Sequence, residues 1–332
     1  MIDVHAHFVS PSLLEAASRP GGVAGVEYDP ESRRVRFPAG ESRPLPPPLT
    51  DLEKHRSWTA ERGIELQVLS PWMDLLRDEL PAEPAATWAR AMNDAVAEDI
   101  AGDAALAAFA ALPADGEAAA RELRRCVEEL GFLGAALPTQ IGDRDLDESG
   151  LEPLFEAAEA LDAPLFLHPF RVMGGERMRR HFLENVCGNP FETTMAAVTL
   201  FFSGLFDRRP GLRVLLSHCG GTLPLIAGRV AHASCHAPGV PVRMEAPDEL
   251  LERYFYDTLL HDPAALAFAI ARVRPERVAL GTDLPFPMRI EQPADHLREA
   301  LALAGLAGGA FDQVTRETPM RVLGHAHATA RA

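Results

Sequence analysis

The chain has 332 residues, 47% of them apolar, which is enough for a large buried core. It holds no apolar run near the ~18 residues a membrane-spanning helix needs. A formal net charge of −16, with basic residues scattered, excludes nucleic acid as the expected partner, because that partner requires a concentrated basic face. Cysteines 126, 187, 219 and 235 show no short paired spacing, so reduced thiols are expected. Asp3, His5 and His7 interrupt any secretory pattern in the first residues, which leads to the expectation of a cytoplasmic protein.

In chain order, short apolar, β-rich runs occupy residues 2–7, 64–70, 107–112, 133–137, 164–168, 213–218, 254–258 and 278–283. Helix-period segments lie between them. Residues 117–130 put Leu123, Val127 and Leu130 on one face and end at Gly131, and residues 151–161 group Leu154, Phe155, Ala158 and Leu161. Eight strands alternating with helices predict an α/β chain folded as a closed (β/α)8 barrel, one domain over residues 1–332. No GxGxxG follows the first strand, which argues against an open dinucleotide-binding sheet. Residues 20–48 break the alternation. They are rich in Gly and Pro and contain two possible strands, 25–28 and 33–37, around an Asp29-Pro30-Glu31-Ser32 turn. A small β insertion after strand one, lying over the barrel's C-terminal mouth, is expected there. The tail past Gly324 is expected to fray.

Ile2-Asp3-Val4-His5-Ala6-His7 places two imidazoles at i and i+2, hence on one face of a strand. His325-Ala326-His327 repeats the spacing in a polar, Ala-rich tail and is assigned no role. Three more polar residues end apolar runs: His168 after Leu165-Phe166-Leu167, His218 after Leu215-Leu216-Ser217, and Asp283 after Leu280-Gly281-Thr282. A lone His in such a place is ordinarily a satisfied core residue. Strand-end groups on strands one, five, six and eight all fall where barrels position chemistry. Three imidazoles (His5, His7, His168) with the Asp283 carboxylate suit Zn²⁺ or a similar divalent ion and leave a position for water or substrate. Such an ion lowers the pKa of bound water towards ~7, and Asp283 could accept the proton. His218 is then free to act as acid or base. Strand four carries no lysine, and Lys54, the sole lysine, precedes strand two, so one metal rather than two is expected.

With these residues in place, the chain resembles the amidohydrolase-related decarboxylases of the aminocarboxymuconate-semialdehyde type. The matching stretches run from Ile2-Asp3-Val4-His5-Ala6-His7-Phe8 through Met173-Gly174-Gly175-Glu176-Arg177-Met178, Pro190-Phe191-Glu192-Thr193-Thr194 and Ser217-His218-Cys219-Gly220-Gly221. They continue through Gly228-Arg229 and His261-Asp262-Pro263 to Gly281-Thr282-Asp283-Leu284-Pro285-Phe286-Pro287. The resemblance implies that His5, His7, His168 and Asp283 are the metal ligands and that His218 and Asp283 are catalytic. It also implies that Arg43, Arg229 and Phe286 bind a small carboxylate substrate, with Arg229 entering the neighbouring subunit's site in a homodimer. Arginine suits that role because its fork grips a carboxylate in two places. The implied reaction is non-oxidative loss of CO2 from an unsaturated or aromatic acid, without an organic cofactor.

Departures from the family pattern cluster at the pocket: Phe170 and Arg171 after strand five, Leu284, Met288-Arg289 and Leu49. They leave the substrate open, and Arg171 and Arg289 could add anion contacts. Two alternatives stand beside decarboxylation. One is a hydrolase or hydratase using the same metal, and the other is a catalytically silent metal-binding scaffold, which would be expected to have lost a ligand or His218.

Overall fold

A computed structural model describes residues 1–306 and 308–324. The tail past Gly324, with its His325-Ala326-His327 triplet, lies outside the described residues. In chain order the strands are β1 (Ile2–Phe8), β2 (Glu27–Asp29), β3 (Arg34–Phe37), β4 (Gly40–Glu41), β5 (Leu66–Pro71) and β6 (Leu106–Ala110). They continue with β7 (Gly134–Pro138), β8 (Gln140–Ile141), β9 (Arg144–Asp145), β10 (Leu165–His168), β11 (Val214–Leu216) and β12 (Tyr254–Tyr256). Seven of them pair in parallel in the order β1-β5-β6-β7-β10-β11-β12, with helices in the crossovers. This is the expected order of a (β/α)8 barrel.

The eighth expected strand, residues 278–283, is not a regular strand. It crosses the gap between β12 and β1 through isolated parallel bridges, Tyr256 to Val278 and Ala6 to Leu284. Ala279 N donates to Tyr256 O at 2.8 Å and Val4 N to Leu280 O at 2.9 Å. Asp283 N donates to His5 O at 2.8 Å and His7 N to Leu284 O at 2.7 Å, so the barrel is closed. The ladder is irregular for local reasons. The register of β1 shifts between Asp3 and Ala6, a one-residue bulge at Val4-His5. Asp283 adopts φ +62°, which no strand tolerates.

The period-two alternation sorts strand residues into two clusters. Phe109, Ala136, Phe166, Leu215, Phe255 and Ala279 share one with Val4 and Val68. Ala135, Leu137, Leu165, Leu167, Val214, Leu216, Tyr254 and Tyr256 pack instead with helix residues such as Leu123, Leu154 and Leu200. Each Val, Leu or Phe among them contributes roughly 1.5–3 kcal/mol on burial. Phe166 stacks on Phe109 at 5.7 Å and meets the His5 ring at 4.8 Å, so the apolar interior ends directly beneath the histidines.

Between β1 and β5, the strands β2, β3 and β4 form a separate antiparallel sheet. Its first turn is the one expected from sequence: Asp29 accepts from Glu31 N at 3.0 Å and from Ser32 Oγ at 2.8 Å. The third strand was not expected, nor was the short β8–β9 hairpin. Both are two-residue pairings too short to show a period.

Gly281 is needed where the closing segment passes the sheet. A Cβ there would lie 2.8 Å from Asp257 Cβ and 2.9 Å from His5 Cβ. Gly281→Ala is expected to cost about 1–3 kcal/mol through overpacking, seen as a lower thermal midpoint. An unchanged midpoint would mean that this contact relaxes freely.

Candidate metal centre

The sequence puts His5 and His7 on β1, His168 at the end of β10 and Asp283 on the closing segment. The fold brings one ligand-type atom from each to within 4.8 Å of all the others, and all four residues are buried. His5 Nε2 lies 3.2 Å from His7 Nε2 and 3.3 Å from Asp283 Oδ1, and His7 Nε2 is 3.4 Å from the same oxygen. The His168 ring stands 4.9 Å from that of His7 and 5.2 Å from that of His5.

The opposite edges of the rings decide how these atoms can act. His7 Nδ1 donates to Pro71 O at 3.1 Å and His168 Nδ1 to Pro169 O at 2.9 Å; a carbonyl only accepts, so each ring proton sits on Nδ1. His5 Nδ1 donates to Asp257 Oδ2 at 2.6 Å. All three Nε2 lone pairs therefore turn inwards towards one point, the arrangement in which a partner on the far ring nitrogen orients a metal-ligating imidazole. Among the described residues, His168 Nε2 and Asp283 Oδ1 are buried without a hydrogen-bond partner. Lone pairs facing one another at 3.2 Å repel unless a cation or proton lies between them. A divalent ion satisfies the whole set at once, so these residues fit a metal.

The electrostatics agree. Burial pulls His5 down, but hydrogen bonds to Asp257 and Asp283 outweigh it and carry His5 up to about 10. Burial pushes Asp283 up, yet His5 and His7 hold it far below the usual carboxylate range. Burial and the crowd of neighbouring imidazoles keep His168 well below its ordinary value. Two carboxylates facing the buried rings call for positive charge at this point, which a proton on His5 or a bound cation can supply.

His218 sits beside the cluster, its ring 5.1 Å from that of His168, and lowered to about 4 by burial and by the nearby His5. Its backbone is left-handed, φ +53°, as is that of Cys219 at +52°. Asp257 accepts from both amides, at 2.9 and 2.6 Å, and so holds this unfavourable turn in place.

The cluster opens into a mouth cavity of about 1000 Å³ whose wall includes His7, His168, His218, Asp283 and Phe286. Phe286 packs on the His7 ring at 5.1 Å. Arg43 also lines the mouth, but Asp74 takes its Nε and Nη2. Arg171 is held by Asp78 and Glu79, and Arg289 by Glu291. Arg229 is exposed on the helix Leu223–His236 and is not part of this wall. All four cysteines are free.

Sequence reasoning missed Asp257, Asp3 and Asp74. Asp257 carried a usable signal, an acid following Tyr254-Phe255-Tyr256 at a strand end. Asp3 sits inside the His motif itself and accepts from Gln67, Thr282 and His5 N. Burial lifts it to about 6, against those hydrogen bonds.

An amidohydrolase family model matches residues 2–325. The chain belongs to the amidohydrolase family. Several of its relatives are decarboxylases. A 2-amino-3-carboxymuconate-6-semialdehyde decarboxylase from Dictyostelium discoideum is 33% identical over 294 residues, covering 86% of this chain and 82% of that one. A gamma-resorcylate decarboxylase from Polaromonas sp. is 33% identical over 71% of this chain and 77% of its own length. Among solved structures, a dihydroxybenzoic acid decarboxylase from Polaromonas sp. JS666, crystallised with manganese and 2-nitroresorcinol, superposes with a TM-score of 0.76 at 26% identity. That match covers 97% of this chain and 96% of the other. On this amidohydrolase framework Asp257→Asn, which keeps one acceptor oxygen, is expected to weaken divalent-metal affinity about 10- to 100-fold, measured by competition with a chromophoric chelator. Unchanged affinity would show that the His5 ring does not need the carboxylate.

Proposed function

We propose that this chain is a metal-dependent, non-oxidative decarboxylase of a small aromatic or unsaturated carboxylic acid, working as a single-domain barrel with one divalent ion. The observation that carries the reading is the inward turn of three Nε2 lone pairs onto Asp283 at the floor of an open mouth, in a chain whose relatives decarboxylate such acids. His5, His7, His168 and Asp283 would hold the ion. Zinc suits three imidazoles and one carboxylate, although manganese is bound in the dihydroxybenzoic acid decarboxylase.

When bound, the ion supplies positive charge that offsets the acid's carboxylate. The chain's own residues do the rest. Loss of CO2 breaks a carbon–carbon bond and leaves its electron pair on the substrate carbon, which must gain a proton. His218 lies on the cavity wall and is neutral at pH 7, so it can take a proton from water and pass it on, while Asp283 beside the ion stays ionised. Phe286 offers an apolar face for a planar acid. The hydrolase or hydratase reading is not favoured, because the relatives carrying the resemblance release CO2.

We also place two copies together, in the cytoplasm. Among the described residues, no helix is long and apolar enough to cross a membrane. Met173, Phe182, Val186, Phe191 and Leu225 leave large apolar surface exposed, and Phe182 borders the mouth. Arg229 follows Leu225 by one helical turn, so a partner covering this helix face would meet its guanidinium.

Aromatic and unsaturated acids supplied to the metal-loaded protein should release CO2, and chelation should abolish it. His218→Ala should keep one metal per chain by elemental analysis but lose turnover by roughly 10²- to 10⁴-fold. Retained turnover would remove His218 from the chemistry, and two metal equivalents would defeat the single-ion reading. In mixed dimers, Arg229→Ala in one subunit should impair the partner's site. Independent subunits would confine Arg229 to its own chain.

A further inference from the structure

Asp3 opens the motif that carries His5 and His7, yet it faces the other way. In register it pairs with Gln67 on β5, whose neighbours Leu66 and Val68 pack in the barrel interior with Phe109 and Phe166. Gln67 and Asp3 therefore turn outwards, towards the helix Leu52–Glu61. The bulge at Val4-His5 is what lets His5 turn inwards two residues later. The buried Asp3 carboxylate accepts from Thr282 Oγ1 at 2.6 Å, from Gln67 Nε2 at 2.8 Å, and from the amides of His5 and Thr282 at 3.1 Å each. Behind it, His55 Nδ1 donates from that helix to Gln67 Oε1 at 2.7 Å, which fixes the amide with its nitrogen towards Asp3. The Thr282 hydroxyl makes a second bond, accepting from Leu284 N at 3.3 Å. Both neighbours of Asp283 are thus tied to one hydroxyl that is itself anchored on Asp3.

From this chain of bonds we infer that Thr282 is a positioning residue for the metal centre: its hydroxyl, anchored on Asp3 outside the barrel wall, holds Asp283 with Oδ1 turned to the histidines. The role rests on the reading of Asp283 as a metal ligand and deepens it. Asp283 has φ +62°, a conformation that a residue other than glycine keeps only where its surroundings enforce it. On one side its amide is held by His5 O at 2.8 Å. On the other, the peptide joining it to Leu284 rests its N–H on Thr282 Oγ1 and its carbonyl on Phe286 N, at 3.0 Å. Without the hydroxyl that peptide keeps only the Phe286 bond, a contact within its own loop that can turn with it. The backbone can then relax and carry Oδ1 away from His5 and His7, whose nitrogens lie 3.3 and 3.4 Å from it. Thr282, Asp3, Gln67 and His55 do not line the mouth, so they act on an acid only through the centre.

The test uses the full chain loaded with Co²⁺. Affinity is measured by competition with a chromophoric chelator, and the coordination of the bound ion is read from its visible absorption, which follows ligand geometry. Thr282→Val keeps the branched shape and removes the hydroxyl, whereas Thr282→Ser keeps the hydroxyl. Thr282→Val should weaken Co²⁺ binding by roughly 10- to 100-fold and alter the spectrum, and Thr282→Ser should restore both. A Thr282→Val chain with a lower thermal midpoint but wild-type affinity and spectrum overturns the assignment, since the hydroxyl would then serve barrel closure only. Equal loss in both variants overturns it too, because the methyl group rather than the hydroxyl would be responsible. Should Thr282→Val fail to fold, Asp3→Asn decides the matter: it keeps the size, removes an acceptor, and should weaken the ion in the same range, with wild-type affinity counting against the role. Asp283→Ala separates the two readings. If it leaves affinity and spectrum unmoved, Asp283 is no ligand and both readings fall. If it weakens the ion while Thr282→Val does not, only the positioning role falls.

Discussion

One buried carboxylate, Asp257, ties together the parts that must be in register for this centre to exist. It accepts from the His5 ring, from the amides of His218 and Cys219, and from Leu259 N. Those contacts join β1, the turn after β11 and the end of β12. A fully buried anion with four donors is worth its desolvation only if every donor stays in place. The bond that aims His5 therefore also holds His218 in a backbone conformation it would otherwise abandon. Barrel closure depends on the same corner, since the closing segment passes Asp257 at Gly281, where a methyl group does not fit.

The centre was largely legible in the sequence because its donors sit at strand ends, where apolar runs make a polar residue conspicuous. His5, His7, His168, His218 and Asp283 were all visible in that way, and the fold brings them together. The residues that orient them were harder to read. Asp257 ends its strand just as His168 does, but it holds an imidazole rather than facing the cavity, and no spacing rule marks such a partner. Asp74 pairs with Arg43 across 31 positions of chain, a contact that depends on how the chain runs on from β4 past the mouth. Arg43 stood out as a candidate anion grip; the acid that occupies it did not.

The eighth strand illustrates the opposite failure. Residues 278–283 read as a strand because they are apolar and end in a polar residue, and they do cross the gap where a strand belongs. The bulge in β1 and the left-handed Asp283 break the ladder. Both irregularities lie at donors of the candidate centre. Regular pairing would return Asp283 to a pleat, with its side chain perpendicular to the sheet. The observed backbone instead sets Asp283 Oδ1 within 3.4 Å of two histidine nitrogens.

Charge is divided between floor and rim in a way that the overall composition hides. With a net charge of −16, the chain as a whole repels an anion. At the rim, arginines and acids neutralise one another in pairs, so little field is left there to draw an acid in. At the floor, Asp257 and Asp283 concentrate the demand for positive charge at one buried point. On the proposed reading, attraction for a substrate carboxylate would come from an ion held at that point, acting in a low-dielectric pocket where its charge is poorly screened. The rim is left to act by shape, and the floor by attraction.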